Sequence, residues 1–343
     1  MSGAVAQEVP PPRSDAPRSS AGRRRRRHPL ARLVGTRVVA GLFVMLVVSF
    51  AMFSFIHLSP GGPEQALAGQ FASERQRELI RVQYHLDDPF LTQYGNYLQS
   101  LVQLDLGRSF TTREATTVSL ARAATVSVPL MVVSWSIAMV VGIALGTLIA
   151  IRRNSVLDRV IGSLTVVGAS SPMFATAVLL TWLLGVKTGW LPTVGGGDGG
   201  MDSVRHLVLP VTTIVVVLLA STTKVSRAAV IDVLGDDHLA FARARGLSRS
   251  MVLRSEIMRN VATTLVTHAG TLLIALAGGQ VVVESVFGLR GVGTLLTDAI
   301  STRDVPLIQA VTLVLAGFIV VVNLVTDLIV LALDPRLRKG LTP

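Results

Sequence analysis

The sequence predicts an all-α membrane protein with six transmembrane helices, and three observations support this fold class. Apolar side chains make up 50% of the 343 residues and charged ones only 15%, and the mean hydropathy is +0.58. Six apolar segments are long enough to cross a bilayer, which takes about 20 helical residues. The basic residues lie between these segments and not along one surface. Such a chain exposes too much apolar surface for a water-soluble globule, so lipid is its expected solvent.

The six predicted spans cover residues 38–58, 124–151, 160–185, 206–223, 261–287 and 307–333. Pro172 is expected to kink or break the third span, because proline has no amide hydrogen and clashes with the preceding turn. Gly142 and Gly146 in the second span, and Gly278 and Gly279 in the fifth, are expected to permit close packing within the chain or against another subunit.

The basic residues between the spans predict the orientation of the chain. Cytoplasmic loops keep an excess of lysine and arginine. The arginine run 23–27, the loop after the second span, the segment 224–260 and the C-terminal residues are all basic, and six spans place them on one side. The loop 59–123, on the other side, carries balanced charges. Both termini and the segment 224–260 are therefore expected in the cytoplasm.

The predicted organisation has five parts. They are a disordered basic cytoplasmic tail at 1–32, the first transmembrane helix at 33–58, an extracytoplasmic loop region at 59–123, a five-helix core at 124–333 that includes the cytoplasmic loop 224–260, and a cytoplasmic tail at 334–343. The tail 1–32 is rich in Pro, Ser, Ala and Arg and cannot bury enough apolar surface to fold.

Two further loops give local predictions. The loop region 59–123 has apolar residues at helical spacing, which predicts a short amphipathic helix. These residues are Phe90, Tyr94, Tyr97, Leu98 and Leu101. The glycine-rich stretch 195–200 predicts a flexible outer loop.

Several function classes are excluded by what the sequence lacks. There is no cysteine, which excludes disulfides, thiolate metal sites and cysteine catalysis. The six histidines have no metal-ligand spacing, so no metal site is expected. No phosphate-binding loop of the form G-x-x-x-x-G-K-[ST] occurs, so any ATPase must be a separate partner and no cofactor is expected in this chain. The net charge of +11 follows from topology, so no nucleic-acid partner is expected.

The segment 224–260 is the strongest functional candidate. Ala240, Ala242 and Ala244 favour a helix, Gly246 permits a left-handed turn, and Ser248 can cap a second helix. Small side chains beside a glycine bend allow close approach of another protein, and the neighbouring arginines can pair with its carboxylates. An ordinary basic cytoplasmic loop would also fit the composition.

A series of short motifs decides between these alternatives. The motifs are FARARGL at 241–247 with RN at 259–260, PGGP at 60–63, LDDP at 86–89 with QY at 93–94, LDLGRS at 104–109, WLP at 190–192, HLVLP at 206–210, VESVF at 283–287 with GVG at 291–293, RD at 303–304 and DPR at 334–336. With these motifs the chain resembles bacterial ABC-importer permeases of the dipeptide and oligopeptide branch. Together they extend over roughly residues 33–338. Their number and order are far more specific than any one of them.

The resemblance implies the fold, partners and site of the chain. It implies a type I permease of six helices in the bacterial inner membrane, paired with a second homologous permease as a heterodimer. It also implies two cytoplasmic ATPases that bind ATP and magnesium and dock on the permeases. An extracytoplasmic binding protein is expected to deliver the solute. The expected ATPase-coupling loop comprises Ala240, Phe241, Ala242, Arg243, Ala244, Arg245, Gly246, Leu247, Arg259 and Asn260. Short peptides are the expected solute, with nickel, haem, glutathione or sugar as alternatives, and no catalytic residue is expected.

Two other function classes remain open at this stage. A transporter driven by an ion gradient would need carboxylates in sequence across the bilayer, whereas Glu284 and Asp327 lie apart. Each of them is expected to have a structural role and to pair with an arginine or with backbone donors. An intramembrane hydrolase would need a paired nucleophile and base, for which Ser170 and His268 are the only candidates.

Overall fold

The computed structural model describes residues 29–58, 73–83, 86–235, 248 and 251–333, and these residues form ten α-helices with no β-strand. The helices are α1 (Pro29–His57), α2 (Glu74–Gln83), α3 (Phe90–Val102), α4 (Thr116–Ile151), α5 (Val156–Ser170), α6 (Met173–Leu180), α7 (Gly200–Leu234), α8 (Met258–Val286), α9 (Val292–Thr302) and α10 (Val305–Leu333). Single π-helical stretches follow α6 at Thr181–Lys187 and precede α8 at Val252–Ile257.

Within this part of the chain, five helices are individually long and apolar enough to cross a membrane. They are α1, α4, α7, α8 and α10. The third predicted span is instead a pair of helices, Val156–Ser170 and Met173–Lys187, bent by 107° at the break. Ser171 and Pro172 are both extended there, with ψ of 123° and 138°, because the residue before a proline avoids the helical region. The predicted break at Pro172 is confirmed.

Helices α7 and α8 are antiparallel and define the two ends of the bundle. Val230 near the end of α7 shares a buried cluster with Val261 near the start of α8. Leu209 near the start of α7 shares another with Phe287, which follows α8. The end at which α7 finishes and α8 starts is called the coupling end, since it holds the segment 224–260, and the other is called the opposite end.

The bent pair runs from one end of the bundle to the other. At its start, the Asp158 carboxylate contacts Arg227 at the coupling end. Just beyond its finish, the Gly195 amide donates to the Phe287 carbonyl at the opposite end, with an N–O distance of 2.8 Å. The pair therefore makes one broken crossing, and the predicted total of six is reached. The same contact holds one end of the glycine-rich stretch 195–200.

Helices α4 and α7 pack closely through two glycines of α4. A Cβ atom on Gly142 would lie 2.7 Å from the Thr222 Cβ, and one on Gly146 would lie 2.6 Å from the Thr223 carbonyl oxygen. The predicted role of this glycine pair in packing is confirmed, and the contact is within the chain. Gly278 differs, because nothing described lies within 4 Å of a Cβ placed there.

Helix α7 is longer than a bilayer requires. Its 35 residues extend for about 52 Å, whereas the hydrocarbon core is about 30 Å thick. The predicted loop 224–260 therefore begins as a continuation of α7 through residues 224–234, and a rigid helix projects toward the residues expected to couple.

Helix α1 packs antiparallel to α10 at the edge of the bundle. The Gln309 side chain donates to the Met52 carbonyl oxygen at 3.3 Å, and the Arg37 guanidinium lies 3.0 Å from the Asp327 carboxylate. The predicted structural pairing of Asp327 is confirmed. The start of α1 and the finish of α10 both lie at the coupling end.

The predicted amphipathic helix of the loop region is α3, and it packs on α1 through aromatic rings. Phe53 of α1 lies 5.3 Å from Phe90 and 5.5 Å from Tyr97, measured between ring centroids. His57 lies 3.1 Å from the Gln93 side-chain oxygen. Burial raises the pKa of the Tyr97 hydroxyl. The loop region is thus attached to the first span, and the turn residues 60–63 lie outside the described residues.

Candidate functional site

The structure describes the two stems of the expected coupling loop. Ala240, Phe241, Ala242, Arg243, Ala244, Arg245, Gly246 and Leu247 lie outside the described residues. Arg259 and Asn260 lie in the first turn of α8, where both are exposed. The Asn260 amide donates to the Glu256 carbonyl oxygen at 2.7 Å. The stems are therefore the end of α7 on one side and, on the other, Ser248 with residues 251–260.

Ser248 caps the second stem as predicted. Its side-chain oxygen accepts from the Met251 amide at 3.3 Å, and its carbonyl oxygen accepts from the Val252 amide at 2.9 Å. These bonds satisfy amides at the start of the turn, which have no earlier carbonyl partner. Ser248 therefore supplies acceptors for the first described amides of the second stem.

A buried apolar cluster joins both stems to α4. It consists of Ala150, Val230, Val252, Ile257, Val261 and Leu265, each at most 7% exposed. The cluster takes members from the ends of α4 and α7, from the π-helical turn and from the start of α8. The ends of three spans are therefore packed together at the coupling end.

An ion pair connects a further helix, α5, to α7 at the coupling end. The Asp158 carboxylate accepts from the Arg227 guanidinium at 2.7 and 2.9 Å and from the Asn154 amide at 3.0 Å. Asp158 is 5% exposed. This two-bond geometry fixes orientation as well as distance, so the loop between α4 and α5 is held against α7.

At the opposite end, a buried carboxylate organises the connection between α8 and α9. Glu284 is 1% exposed. One of its oxygens accepts from the Ser127 hydroxyl at 2.6 Å and the Gln280 amide at 2.8 Å, and the other from the backbone amides of Gly293 and Thr294 at 2.8 and 3.1 Å. The amides belong to the first turn of α9, where a negative charge is favoured. The predicted structural pairing of Glu284 is confirmed, with hydroxyl and amide donors.

A second buried carboxylate joins the loop before α4 to the start of α10. Asp304, 1% exposed, accepts from the Ser109 hydroxyl and from the backbone amides of Phe110 and Thr111, both at 3.2 Å. The motifs at 104–109 and 303–304 therefore meet in space. Nearby, hydrogen bonds from Arg122 and Ser119 hold the pKa of Glu114 below its usual range.

The two carboxylates that could have formed a proton relay are far apart in the bundle. Glu284 lies at the opposite end and Asp327 at the coupling end, where Arg37 neutralises it. Neither is positioned to pass a proton to the other. The structure thus gives them local structural roles.

The family of the chain follows from comparison with known proteins. Residues 142–339 match the family described as "Binding-protein-dependent transport system inner membrane component", and residues 30–131 match its N-terminal companion, "Binding-prot-dependent transport system membrane comp, N-term". The chain belongs to this family. It is a multi-pass inner-membrane permease subunit of an ABC importer and not an enzyme, and membership implies ATPase and binding-protein partners.

Relatives of this permease cover nearly its whole length. A glutathione transport system permease protein of Escherichia coli K12 is 35% identical over 302 residues, which are 88% of this chain and 97% of the relative. A putative peptide transport system permease protein of Brucella abortus is 34% identical over 309 residues, which are 89% and 98% of the two chains. The resemblance inferred from the motifs is confirmed.

A solved structure shares the fold of this permease. The MetNI methionine ABC transporter, in an inward-facing conformation, matches with a TM-score of 0.53 at 19% identity over 63% of this chain and 96% of that chain. At this identity the likeness supports the permease fold alone.

Sequence reasoning did not single out the ion pair of Asp158 with Arg227. Their positions are 69 residues apart, and Arg227 is one of many basic residues expected on that side. The one local signal is Ser155 followed three residues later by Asp158, which marks the start of α5: the Asp158 amide donates to the Ser155 side chain at 3.2 Å.

Proposed function

We propose that this permease couples ATP hydrolysis by two cytoplasmic ATPases to import of short peptides, through the loop residues Ala240–Leu247 with Arg259 and Asn260. The observation that carries the proposal is the joining of both stems of that loop to α4, α7 and α8 by one buried cluster. An ATPase that binds between the stems would displace the spans as a unit. ATP and magnesium are held by the ATPases, and this chain binds no cofactor.

The proposed orientation places the coupling end in the cytoplasm. Arg37, Arg152, Arg153, Lys224 and Arg259 lie at or near this end, and cytoplasmic loops are enriched in such residues. Both termini are then cytoplasmic, and α2, α3 and α9 lie on the extracytoplasmic side of the membrane. There the loop region faces the solute-binding protein.

The proposed path lies between this permease and a second, homologous but non-identical permease. Gly278 and Gly279 support such a pairing. Among the described residues, a Cβ atom built on Gly278 would meet nothing within 4 Å, and one built on Gly279 would meet the Met173 side chain alone, at 3.9 Å. Small residues of this kind permit close approach of another helix or of solute. Short peptides are the proposed solute because relatives at 34–35% identity carry peptide and glutathione transport names.

Uptake by the assembled transporter tests the solute. The permease would be produced with its genomically neighbouring permease, ATPases and binding protein in cells that lack their own peptide uptake. We expect ATP-dependent entry of a labelled dipeptide, with competition by unlabelled di- and tripeptides and none by nickel ions, haem or sugars. Competition by glutathione alone, or by one of the non-peptide solutes, would contradict the peptide assignment while leaving the coupling proposal intact.

A further inference from the structure

A basic groove lies between α5 and α7 at the coupling end, beside the proposed coupling loop. Its cationic wall is formed by Arg159 of α5 and by Lys224 and Arg227 of α7. Gly162 and Val166 continue the groove along α5 toward the middle of the membrane. Ser163 and Thr165 also line this part, and the Thr165 hydroxyl donates to the Gly162 carbonyl oxygen at 2.7 Å. The groove thus changes from cationic to uncharged over a distance of about 10 Å, the rise of seven helical residues.

The charge in this groove is not balanced by the described residues. Asp158 is engaged by both nitrogens of the Arg227 guanidinium, which cancels one positive charge. Within the part of the chain that the structure describes, no carboxylate lies within salt-bridge distance of Arg159 or Lys224, and both side chains are exposed. Two cations therefore line the same opening without a carboxylate partner among the described residues.

The apolar half of the groove is open. A Cβ atom built on Gly162 would meet no atom within 4 Å, so the glycine leaves a notch in the surface of α5. Val166, one turn further along, is 58% exposed, and its neighbour Val167 is 65% exposed. These residues belong to a membrane-crossing pair, so a hydrocarbon chain is the natural neighbour of this surface.

We propose that this groove binds an anionic phospholipid, with the phosphate between Arg159 and Lys224 and an acyl chain over Gly162 and Val166. Basic pockets between transmembrane helices on the cytoplasmic side suit such headgroups. An acidic segment of the ATPase would satisfy the cations but would gain nothing from the apolar notch. The lipid would brace α5 against α7 next to the ion pair that holds the same two helices together.

Lipid retention by the purified full-length chain tests the cationic half. The protein in mild detergent would be titrated with phosphatidylglycerol or phosphatidylcholine, and bound lipid counted by native mass spectrometry. We expect phosphatidylglycerol to bind in preference to phosphatidylcholine. Binding should weaken about fivefold for Arg159→Gln or Lys224→Gln and about 25-fold for both. The matched control for the single variants, Arg152→Gln, removes the same charge at the same end from a residue that does not line the groove and should weaken binding less than about threefold.

A neutral variant tests the apolar half. Gly162→Leu fills the notch without altering charge, and the open space around Gly162 lets the chain fold normally. We expect it to lower phosphatidylglycerol retention as well, and we expect excess inorganic phosphate to displace little lipid. Equal retention by the groove and control variants, or displacement by phosphate alone, would overturn the proposal. The same variants would also be purified from cells that co-produce the ATPases; loss of ATPase copurification with unchanged lipid binding would overturn the proposal too, since it would assign the cations to the ATPase.

Discussion

Replacing Glu284 with alanine is expected to lower the free energy of unfolding by about 4 kcal/mol, since truncating a buried charge and stranding its donors costs roughly this much. The hydroxyl of Ser127 and the backbone amides of Gly293 and Thr294 would lose their acceptor. The Gln280 amide would lose one of its two acceptors. The first turn of α9 would also lose the negative charge that favours it. The connection between α8 and α9 should therefore loosen first.

Thermal unfolding of the purified permease in detergent measures this effect. A fall in apparent Tm of about 10 °C is expected for Glu284→Ala. The matched control is Asp298→Ala, which removes an exposed carboxylate from α9 itself and should change stability by less than about 0.5 kcal/mol. If the two variants had the same apparent Tm, the hydrogen bonds of Glu284 would not be a main source of stability at the opposite end.

Replacing Gly146 with alanine is expected to cost about 3 kcal/mol, at the upper end of overpacking penalties. The added methyl would lie 2.6 Å from the Thr223 carbonyl oxygen and 2.9 Å from the Arg227 amide nitrogen. Both are backbone atoms, so relief requires that α4 and α7 move apart. That displacement would disturb the Ser226 hydroxyl, which donates to the Ile143 carbonyl oxygen at 3.3 Å.

The control for this variant is another helical glycine with free space around it. Gly95→Ala in α3 adds the same methyl where nothing described lies within 4 Å, so the better helix propensity of alanine should raise stability by about 0.5 kcal/mol. Thermal unfolding of the two variants, measured side by side, should therefore shift in opposite directions. A loss of stability in both would mean that helix context, and not packing against α7, governs these positions.

Much of the fold could be predicted because its signals are local. A bilayer-length apolar run, the steric effect of Pro172 and the helical spacing of Phe90, Tyr94 and Tyr97 each act within a few turns of helix. The length of α7 could not be predicted in the same way, because hydropathy falls where Lys224 and Arg227 begin although the helix continues to Leu234.

The parts that could not be predicted depend on partners distant in sequence. The donors of Glu284 come from α4, α8 and α9. Asp158 pairs with Arg227 because α7 returns to the end of the bundle at which the bent pair starts. The cost of a charge within a span predicted that Glu284 and Asp327 would each have a structural partner. It did not identify those partners. The coupling residues Ala240–Leu247 lie outside the described residues and remain a prediction supported by the stems on either side.

Disulfide cross-linking at Leu247 tests the coupling account most directly, because the chain contains no cysteine of its own. The Leu247→Cys permease would be assembled with an ATPase that carries a single cysteine in its docking groove and oxidised with and without ATP. The control, Ala115→Cys, places the thiol just before α4 at the opposite end. We expect an ATP-sensitive adduct at position 247 and none at 115. Absence of an adduct at 247 from a correctly inserted chain would contradict the assignment of the coupling loop.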